Sequence, residues 1–153
     1  MELEEIRAIL RKITILAGLT EEQLCRVLEL LEKVTYQPGE HIFEQGRQPS
    51  HIYIIKSGQV KLTAQQDDTF LELIVFEQGE CFGESSIIGI QPHAATAIAI
   101  EPSELMVLSR SALLSLYKTD LELFSILILN IAREACRRLH STDEVLLHYV
   151  SRK

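Results

Sequence analysis

The middle of the chain, from Val34 to Leu108, consists of short β-rich runs separated by turn residues. The runs cover residues 34–37, 41–44, 52–56, 59–64, 70–76, 94–100 and 104–108. Pro38-Gly39, Gly46, Ser57-Gly58 and residues 66–69 separate the first five. Runs that recur every 8–12 residues or so are typical of antiparallel sandwiches and rolls, whereas the strands of parallel sheets alternate with helices. The sequence therefore predicts a mainly β fold.

The N-terminal residues have a helical period instead. Apolar residues recur at three- and four-residue steps over 2–17, with acidic residues in the first turn, which predicts a helix that ends at Gly18. These apolar residues are Leu3, Ile6, Leu10 and Ile13. A second helix is predicted to begin at Thr20, because Thr20 and Gln23 have the spacing of a capping box. The β region should therefore follow a pair of helices.

After the last β run the helical period returns. Ser109 is placed to cap a short helix to about Lys118, and Thr119 with Glu122 repeats the capping-box pattern before a longer helix to about Tyr149. At 1.5 Å per residue the longer helix would be about 45 Å long, which is more than a small barrel covers. One stripe follows it: Phe124, Ile128, Ile131, Ala135, Leu139, Thr142, Leu146 and Tyr149. We expect the part of this stripe that extends beyond the barrel to pack on the same helix of a second subunit. The alternative is that the stripe lies wholly on its own barrel and N-terminal helices.

Residues 81–101 interrupt the β pattern. Phe82, Gly83 and Glu84 form a predicted turn into a short helix, and a strand resumes near Ala94. Glycine permits a tight bend, and the free N–H groups at the start of a helix attract anions. This stretch therefore predicts a cradle for an anionic ligand.

The cradle sequence resembles the phosphate-binding cassette of cyclic-nucleotide-binding domains, which include regulatory subunits of cAMP-dependent protein kinase and bacterial catabolite activator proteins. The matching residues are 82–84, Phe-Gly-Glu, and 92–96, Pro-His-Ala-Ala-Thr. The resemblance implies an antiparallel jelly-roll β-barrel with an N-terminal helical pair and a long C-terminal helix. It also implies that the Gly-Glu pair holds a ribose 2′-hydroxyl and that amides at the start of the short helix hold a cyclic phosphate. The expected ligand-binding residues are Phe82, Gly83, Glu84, Ser85, Ser86, His93, Ala94, Arg138 and Thr142.

His93 stands where the family has an arginine that pairs with the cyclic phosphate. A guanidinium contact of that kind contributes about 1.5–3 kcal/mol, whereas imidazole offers one donor and is partly charged near neutral pH. The exchange predicts affinity lowered by about 10- to 100-fold. Because a bound phosphate favours the imidazolium form, affinity should rise as the pH falls through the His pKa. The alternative is that His93 is a polar loop residue in a cradle that binds nothing.

Residues 137–142 resemble the part of the catabolite-activator dimer helix that closes over the nucleotide. The resemblance puts the adenine-contacting threonine on Thr142, while Asp143 departs from the serine that follows it there. We hypothesise that Arg138 faces the mouth of the pocket and partly replaces the missing arginine; the alternative is that Arg137 and Arg138 are solvated surface charges. Ala94 lacks the hydroxyl with which cGMP-preferring relatives reach guanine, so cAMP is the expected ligand.

Composition limits the remaining possibilities. A chain of 153 residues with 46% hydrophobic content supports one domain: helices over 1–33, the jelly roll over 34–109 with its cassette at 82–96, and C-terminal helices over 110–150. A net charge of −7 without a basic stripe predicts no nucleic-acid binding. The acidic N-terminus and the absence of a long apolar run predict a cytoplasmic protein without membrane contact.

Three functions compete at this point. The first is a sensor that binds cyclic nucleotide and signals through its last helix. The second is a degenerate relative that serves as a dimerisation or docking module, which His93 and the Ser85-Ser86 pair favour. The third is a metal-dependent enzyme on a cupin-like barrel, but the five histidines form no His-x-His or His-x-x-x-His pair, so we expect no catalytic residues, metal or cofactor.

The chain stops at Lys153, where the catabolite activators continue into a helix-turn-helix. We therefore expect either output through a protein effector or a chain that is a fragment of something longer.

Overall fold

The computed structural model describes residues 2–151, apart from the side chain of Ser85. Its eight described strands form two antiparallel sheets of four strands each, with the orders β1-β8-β3-β6 and β2-β7-β4-β5. The strands are β1 Glu32–Tyr36, β2 His41–Phe43, β3 His51–Ser57, β4 Val60–Gln66, β5 Thr69–Phe76, β6 Cys81–Phe82, β7 Thr96–Ala99 and β8 Ser103–Ser109. The predicted fold class, a jelly roll with flanking helices, is confirmed.

Each of the seven predicted β runs overlaps one strand, and β6 is an addition. Its two residues pair with β3, Phe82 opposite Tyr53 and Cys81 opposite Ile54. A strand of two residues has no measurable period, so pattern reasoning could not find it. It places the start of the cassette directly against β3.

Strands β3 and β8 lie between two hydrophobic clusters, which explains their nearly continuous apolar sequence. Ile52 and Ile54 of β3 point into a cluster shared with the helices, while Tyr53 and Ile55 point into a second cluster inside the barrel. Successive side chains of a strand point to opposite faces, so a strand that is apolar at every position serves both cores. The cassette emerges beside the inner cluster.

The predicted N-terminal helix over 2–17 is wrong. Helix α1 covers only Leu3–Ile6, and two 3₁₀ turns follow at Leu10–Lys12 and Thr14–Leu16. Ile13, Ile15 and Leu16 are all at most 5% exposed. A continuous helix would direct residues 13 and 15 to opposite sides, and β-branched residues favour helix only weakly, so burial of this set breaks the helix.

Helix α2, Glu21–Leu30, confirms the predicted cap. The Thr20 hydroxyl accepts a hydrogen bond from the Gln23 amide at 3.1 Å, and the Gln23 side chain accepts one from the Thr20 amide at 3.0 Å. This is the reciprocal capping box that the sequence predicts.

Helix α4, Arg110–Thr119, is capped as predicted, whereas the cap of α5, Leu121–Ser151, differs from the prediction. Ser109 Oγ accepts from the Ala112 amide at 3.0 Å. Before α5 it is Asp120, not Thr119, whose side chain accepts a helix amide, that of Leu123 at 3.2 Å. No helix within residues 2–151 is both long and apolar enough to cross a lipid bilayer.

Candidate functional site

The cassette turns on Gly83, the residue between β6 and α3, Glu84–Gly89. Gly83 has φ +84°, and a Cβ at this position would lie 3.1 Å from the His51 carbonyl oxygen and 3.2 Å from Tyr53 Cδ2. Both the left-handed backbone and the close approach of β3 require glycine here. The short helix therefore begins where the sequence predicts, with Glu84 as its first residue.

The Phe82 ring supports the cassette from the core side. It is 1% exposed and stacks on Tyr53 with ring centroids 5.1 Å apart and on Phe76 at 5.5 Å. A ring held in this way fixes the backbone at which Gly83 turns. The structure therefore places Phe82 beneath the site as a support.

Glu84 is the most unusual polar residue of the site, because its side chain is almost completely buried. It is 1% exposed; Oε1 accepts a hydrogen bond from Arg138 Nη1, whereas Oε2 is buried with no hydrogen-bond partner among the described residues. Burial raises the pKa of this carboxyl, and the nearby Arg138 charge acts in the opposite direction. An unsatisfied buried carboxylate oxygen costs about 1–3 kcal/mol, so Oε2 is a position that a donor from a ligand would satisfy.

Arg138 of α5 reaches the cassette. Besides its hydrogen bond to Glu84, the guanidinium donates to the Cys81 carbonyl oxygen and lies 4.8 Å from the centroid of the Phe76 ring. Its Nε is 3.6 Å from Glu134 Oε1. The side chain is 25% exposed, so it joins the buried carboxylate to the surface.

The alternative in which Arg138 is a solvated surface charge is wrong, whereas Arg137 is half exposed and pairs with Glu134 on the helix surface.

His93 is buried rather than exposed on its loop. It is 5% exposed, and its ring lies flat on Phe43 with a centroid distance of 3.7 Å and an interplanar angle of 6°. The backbone of His93 is held by hydrogen bonds with Gly46 and Arg47, and no hydrogen bond of its ring is found among the described residues. Burial lowers the pKa of this imidazole, which favours the neutral ring near pH 7.

The other predicted site residues lie at different distances from this centre. The side chain of Ser85 is outside the described part of the structure, and Ser86 is half-buried with its carbonyl accepting from the Gln91 amide. Thr142 is exposed and donates to the Arg138 carbonyl one helical turn earlier at 3.0 Å. Ala94 lines a separate hollow of about 360 Å³ beside the β4–β5 hairpin. Glu84 and Arg138 therefore pair through their side chains and Thr142 contacts the Arg138 backbone, whereas His93 lies on Phe43 and Ala94 beside the β4–β5 hairpin.

Two partners of Arg138 are missing from the sequence prediction. Glu134 precedes Arg138 by four residues on α5, which is the spacing of a stabilising helix pair, so charge pairing along the helix could have identified it. Phe76 comes from β5, and only the tertiary fold brings its ring to Arg138. The described residues contain no group of three or more His, Cys, Asp and Glu side chains arranged to hold a metal ion.

Comparison with known proteins agrees with this geometry. The family model of the cyclic nucleotide-binding domain matches residues 33–120, more than half of the chain. A cGMP-dependent protein kinase, egl-4 of Caenorhabditis briggsae, is 32% identical over 106 residues, which are 67% of this chain and 14% of the kinase. The Cyclic AMP receptor protein of Thermus thermophilus is 31% identical over 130 residues, 82% of this chain and 57% of the receptor.

A solved structure shows the same architecture. The Thermus thermophilus Catabolite Activator Protein superposes with a TM-score of 0.78 at 29% identity, over 90% of this chain and 63% of that one. The chain thus spans about one seventh of the kinase and somewhat more than half of the receptor. By its family model, its two sheets and its glycine-turned cassette, this chain belongs to the cyclic nucleotide-binding domain family.

Proposed function

We propose that this chain is a regulatory module that binds a cyclic nucleotide, preferentially cAMP, at the Gly83–Glu84 turn and signals through α5. The observation that carries the proposal is the buried Glu84 Oε2, which has no donor among the described residues. A ribose 2′-hydroxyl is a neutral donor of the right kind for this oxygen, and it could bind while Arg138 stays on Oε1. The site therefore has an acceptor for the sugar beside the amides that the family uses for phosphate.

Arg138 supplies the route from ligand to helix. Its guanidinium contacts the cassette at Glu84 and Cys81, and its backbone belongs to α5. A cyclic phosphate beside Glu84 would also attract this cation, which partly compensates for the arginine that His93 replaces. A ligand that favours one position of Arg138 over another shifts α5 by the same differential affinity, which is the requirement for a switch.

His93 makes the proposed binding depend on pH. The lowered pKa means that the free protein holds a neutral ring, so binding a phosphate to imidazolium takes up a proton. Affinity should then rise as the pH falls through the pKa of the bound form and level off below the lowered pKa of the free form. Protonation of Glu84, whose pKa is raised, acts in the opposite direction, because a neutral carboxyl is a poorer acceptor.

Ala94 supports cAMP over cGMP, since its methyl group offers no hydroxyl to a guanine amino group. The relatives differ in what their names specify: the kinases are cGMP-dependent, whereas the Thermus protein is a cyclic AMP receptor. The receptor matches the larger share of this chain. Both observations favour adenine at the proposed site.

The distal part of α5 supports a homodimer as the signalling form. Leu139 is 63% exposed, Leu146 58% and Val150 64%, and the stripe does not lie wholly on its own barrel. Exposed apolar side chains in this arrangement are typical of an interaction surface, and a second α5 is the simplest self-complementary partner. Because the chain spans only part of the length of its relatives, the proposal does not extend to further domains or effectors.

One alternative function is favoured by specific contacts. His93 is already stacked on Phe43, and Glu84 Oε1 is already paired with Arg138, so part of the cradle is filled by the protein itself. A degenerate module that dimerises or docks without nucleotide would have these features. Direct titration separates the two functions.

The test is isothermal calorimetry with cAMP and with cGMP at pH 6 and pH 8. We expect cAMP to bind more tightly than cGMP and more tightly at pH 6, and we expect His93→Arg to tighten binding by about 10- to 100-fold and to remove its contribution to the pH dependence. His148→Arg, an exchange at an exposed histidine of α5, is the matched control and should change neither. Absence of heat and of any rise in melting temperature with cAMP, in the wild type and in His93→Arg, would establish the degenerate module instead.

A further inference from the structure

A second groove lies outside the cassette, between the N-terminal 3₁₀ turns and α5. It has a volume of about 490 Å³, within the usual range of ligand sites. Its apolar lining comes from the N-terminal side, where Ile13 and Leu16 are buried and Leu10 and Leu19 are half-buried. Both 3₁₀ turns that replace the predicted N-terminal helix contribute to the groove, the first through Leu10 and Arg11 and the second through Thr14 and Leu16.

Side-chain hydrogen bonds fix both walls of the groove. Asn130 of α5 is 5% exposed and donates through Nδ2 to the carbonyl oxygens of Ile15 at 3.0 Å and Ala17 at 2.8 Å. At the next turn of α5, Glu134 Oε2 accepts from the Thr14 hydroxyl at 2.9 Å. These bonds tie the two walls together at a fixed spacing, so the groove is preformed, which lowers the entropy cost of binding there.

The polar edges of the groove are basic. Arg11 borders it on the N-terminal side, and Arg133 and Arg137 border it on α5, one helical turn apart. Arg137 pairs with Glu134 at 2.5 Å, whereas Arg11 and Arg133 are exposed and form no ion pair among the described residues. Unpaired guanidiniums on both walls stand out in a chain with a net charge of −7.

We propose that this groove docks an acidic segment of a protein partner. An apolar side chain of the segment would rest on Leu10 and Leu19, while flanking carboxylates would pair with Arg11 on one wall and Arg133 on the other. Arginine suits such contacts because its planar fork binds carboxylate in two places. Cations on both walls of an apolar floor fit an amphipathic peptide better than a small anion, because a small anion has no apolar group to place on Leu10 and Leu19.

The position of the groove also identifies it as an output surface, a step that rests on the proposed function. Glu134 binds Thr14 at the groove wall and lies 3.6 Å from Arg138 Nε, and Arg138 holds Glu84 in the cassette. A nucleotide that moves Arg138 would change this wall, and the partner would in turn change the affinity for nucleotide by the same factor. Docking itself requires only the groove.

The experiment is fluorescence anisotropy of the full chain with a panel of fluorescein-labelled synthetic peptides in which Asp or Glu flanks Leu at helical and at alternating spacing. We expect saturable binding of at least one acidic peptide, loss of binding for the charge-reversed Lys peptides, and weakening in added salt. Arg11→Glu and Arg133→Glu should each lower affinity by about tenfold or more. Lys118→Glu, the same charge reversal on α4, should leave it within about twofold.

Three outcomes would overturn the docking proposal. They are a complete lack of peptide binding, an equal loss in Lys118→Glu, and full displacement of the peptide by inorganic tripolyphosphate at similar concentration, which would identify a small-anion site. Thermal melting of each variant checks that the fold is retained. Repeating the titration in Glu84→Gln separates this proposal from the cassette: peptide binding should persist there whether or not cAMP binds.

Discussion

The two halves of α5 have opposite surroundings. In the first half Leu123, Leu127 and Ile131 are at most 2% exposed and pack against the N-terminal turns and α4. In the second half Leu139 and Leu146 are more than half exposed. Apolar residues keep the same helical spacing through both halves, so the sequence pattern does not distinguish them. Their burial differs because the barrel and the N-terminal turns cover only the first half. The first half holds the domain together and the second half is available to other molecules, with Arg138 at the boundary between them.

The largest expected effect is the loss of a buried leucine from the first half. Leu127→Ala should lower the free energy of unfolding by about 3 kcal/mol, because it leaves a cavity in the larger core. Leu146→Ala, the same truncation in the second half, should change the stability of the monomer by less than about 0.5 kcal/mol. Urea unfolding at low protein concentration measures both. Equal effects would mean that the second half is packed as well as the first.

At the boundary, Arg138→Ala should lower the free energy of unfolding by about 2 kcal/mol, because it leaves the Glu84 carboxylate buried without its cation. The pKa of Glu84 should rise further above its usual range. A carboxyl with a raised folded-state pKa binds more protons when folded, so the destabilisation should shrink as the pH falls through that pKa. Unfolding titrations at pH 5 and pH 8 measure the difference.

Arg137→Ala is the matched control for Arg138→Ala, since Arg137 is its exposed neighbour and has only surface contacts. It should cost less than about 0.5 kcal/mol at either pH. A pH-independent loss in Arg138→Ala would contradict the assignment of the effect to Glu84.

In the second half, Leu139→Glu should weaken the proposed dimer by about tenfold or more, because it introduces a charge into an apolar contact. Sedimentation equilibrium of the wild type and the variant measures the dissociation constant. Leu114→Glu, at another exposed leucine, on α4, should leave the association unchanged. A wild-type chain that stays monomeric at high concentration would refute the dimer outright.

The smallest effect concerns the start of the first half. Asp120→Ala should cost about 1 kcal/mol, because Asp120 caps α5 and pairs with Arg26 at 3.0 Å. Thr119→Ala should cost clearly less, since the Thr119 hydroxyl donates back to the Ser115 carbonyl within α4. Thermal unfolding measures the stability of both variants. A larger loss of stability in Thr119→Ala would show that Thr119 caps α5, as the sequence pattern predicts.

Much of the fold and part of the site could be predicted from local pattern. The glycine turn at Gly83, the short helix after it and the caps at Thr20 and Ser109 depend on backbone geometry within a few residues, so residue type is enough to locate them. The prediction of a continuous helix over 2–17 was wrong because the burial of Ile13 and Ile15 in the same core outweighs the helical spacing of the apolar residues. The stacking of His93 on Phe43 was equally invisible, since the two residues are fifty positions apart.

The sequence by itself determined seven of the eight described strands, the cassette motif and an apolar C-terminal helix longer than its barrel, because these depend on spacing along the chain. The tertiary structure alone decided that Arg138 meets Glu84, that Oε2 of Glu84 is left without a donor within residues 2–151, and that α5 emerges from the core after Ile131. The physical reason is that burial and charge pairing depend on which segments, distant in sequence, come into contact. Those contacts form only when the sheets close and the helices pack on them.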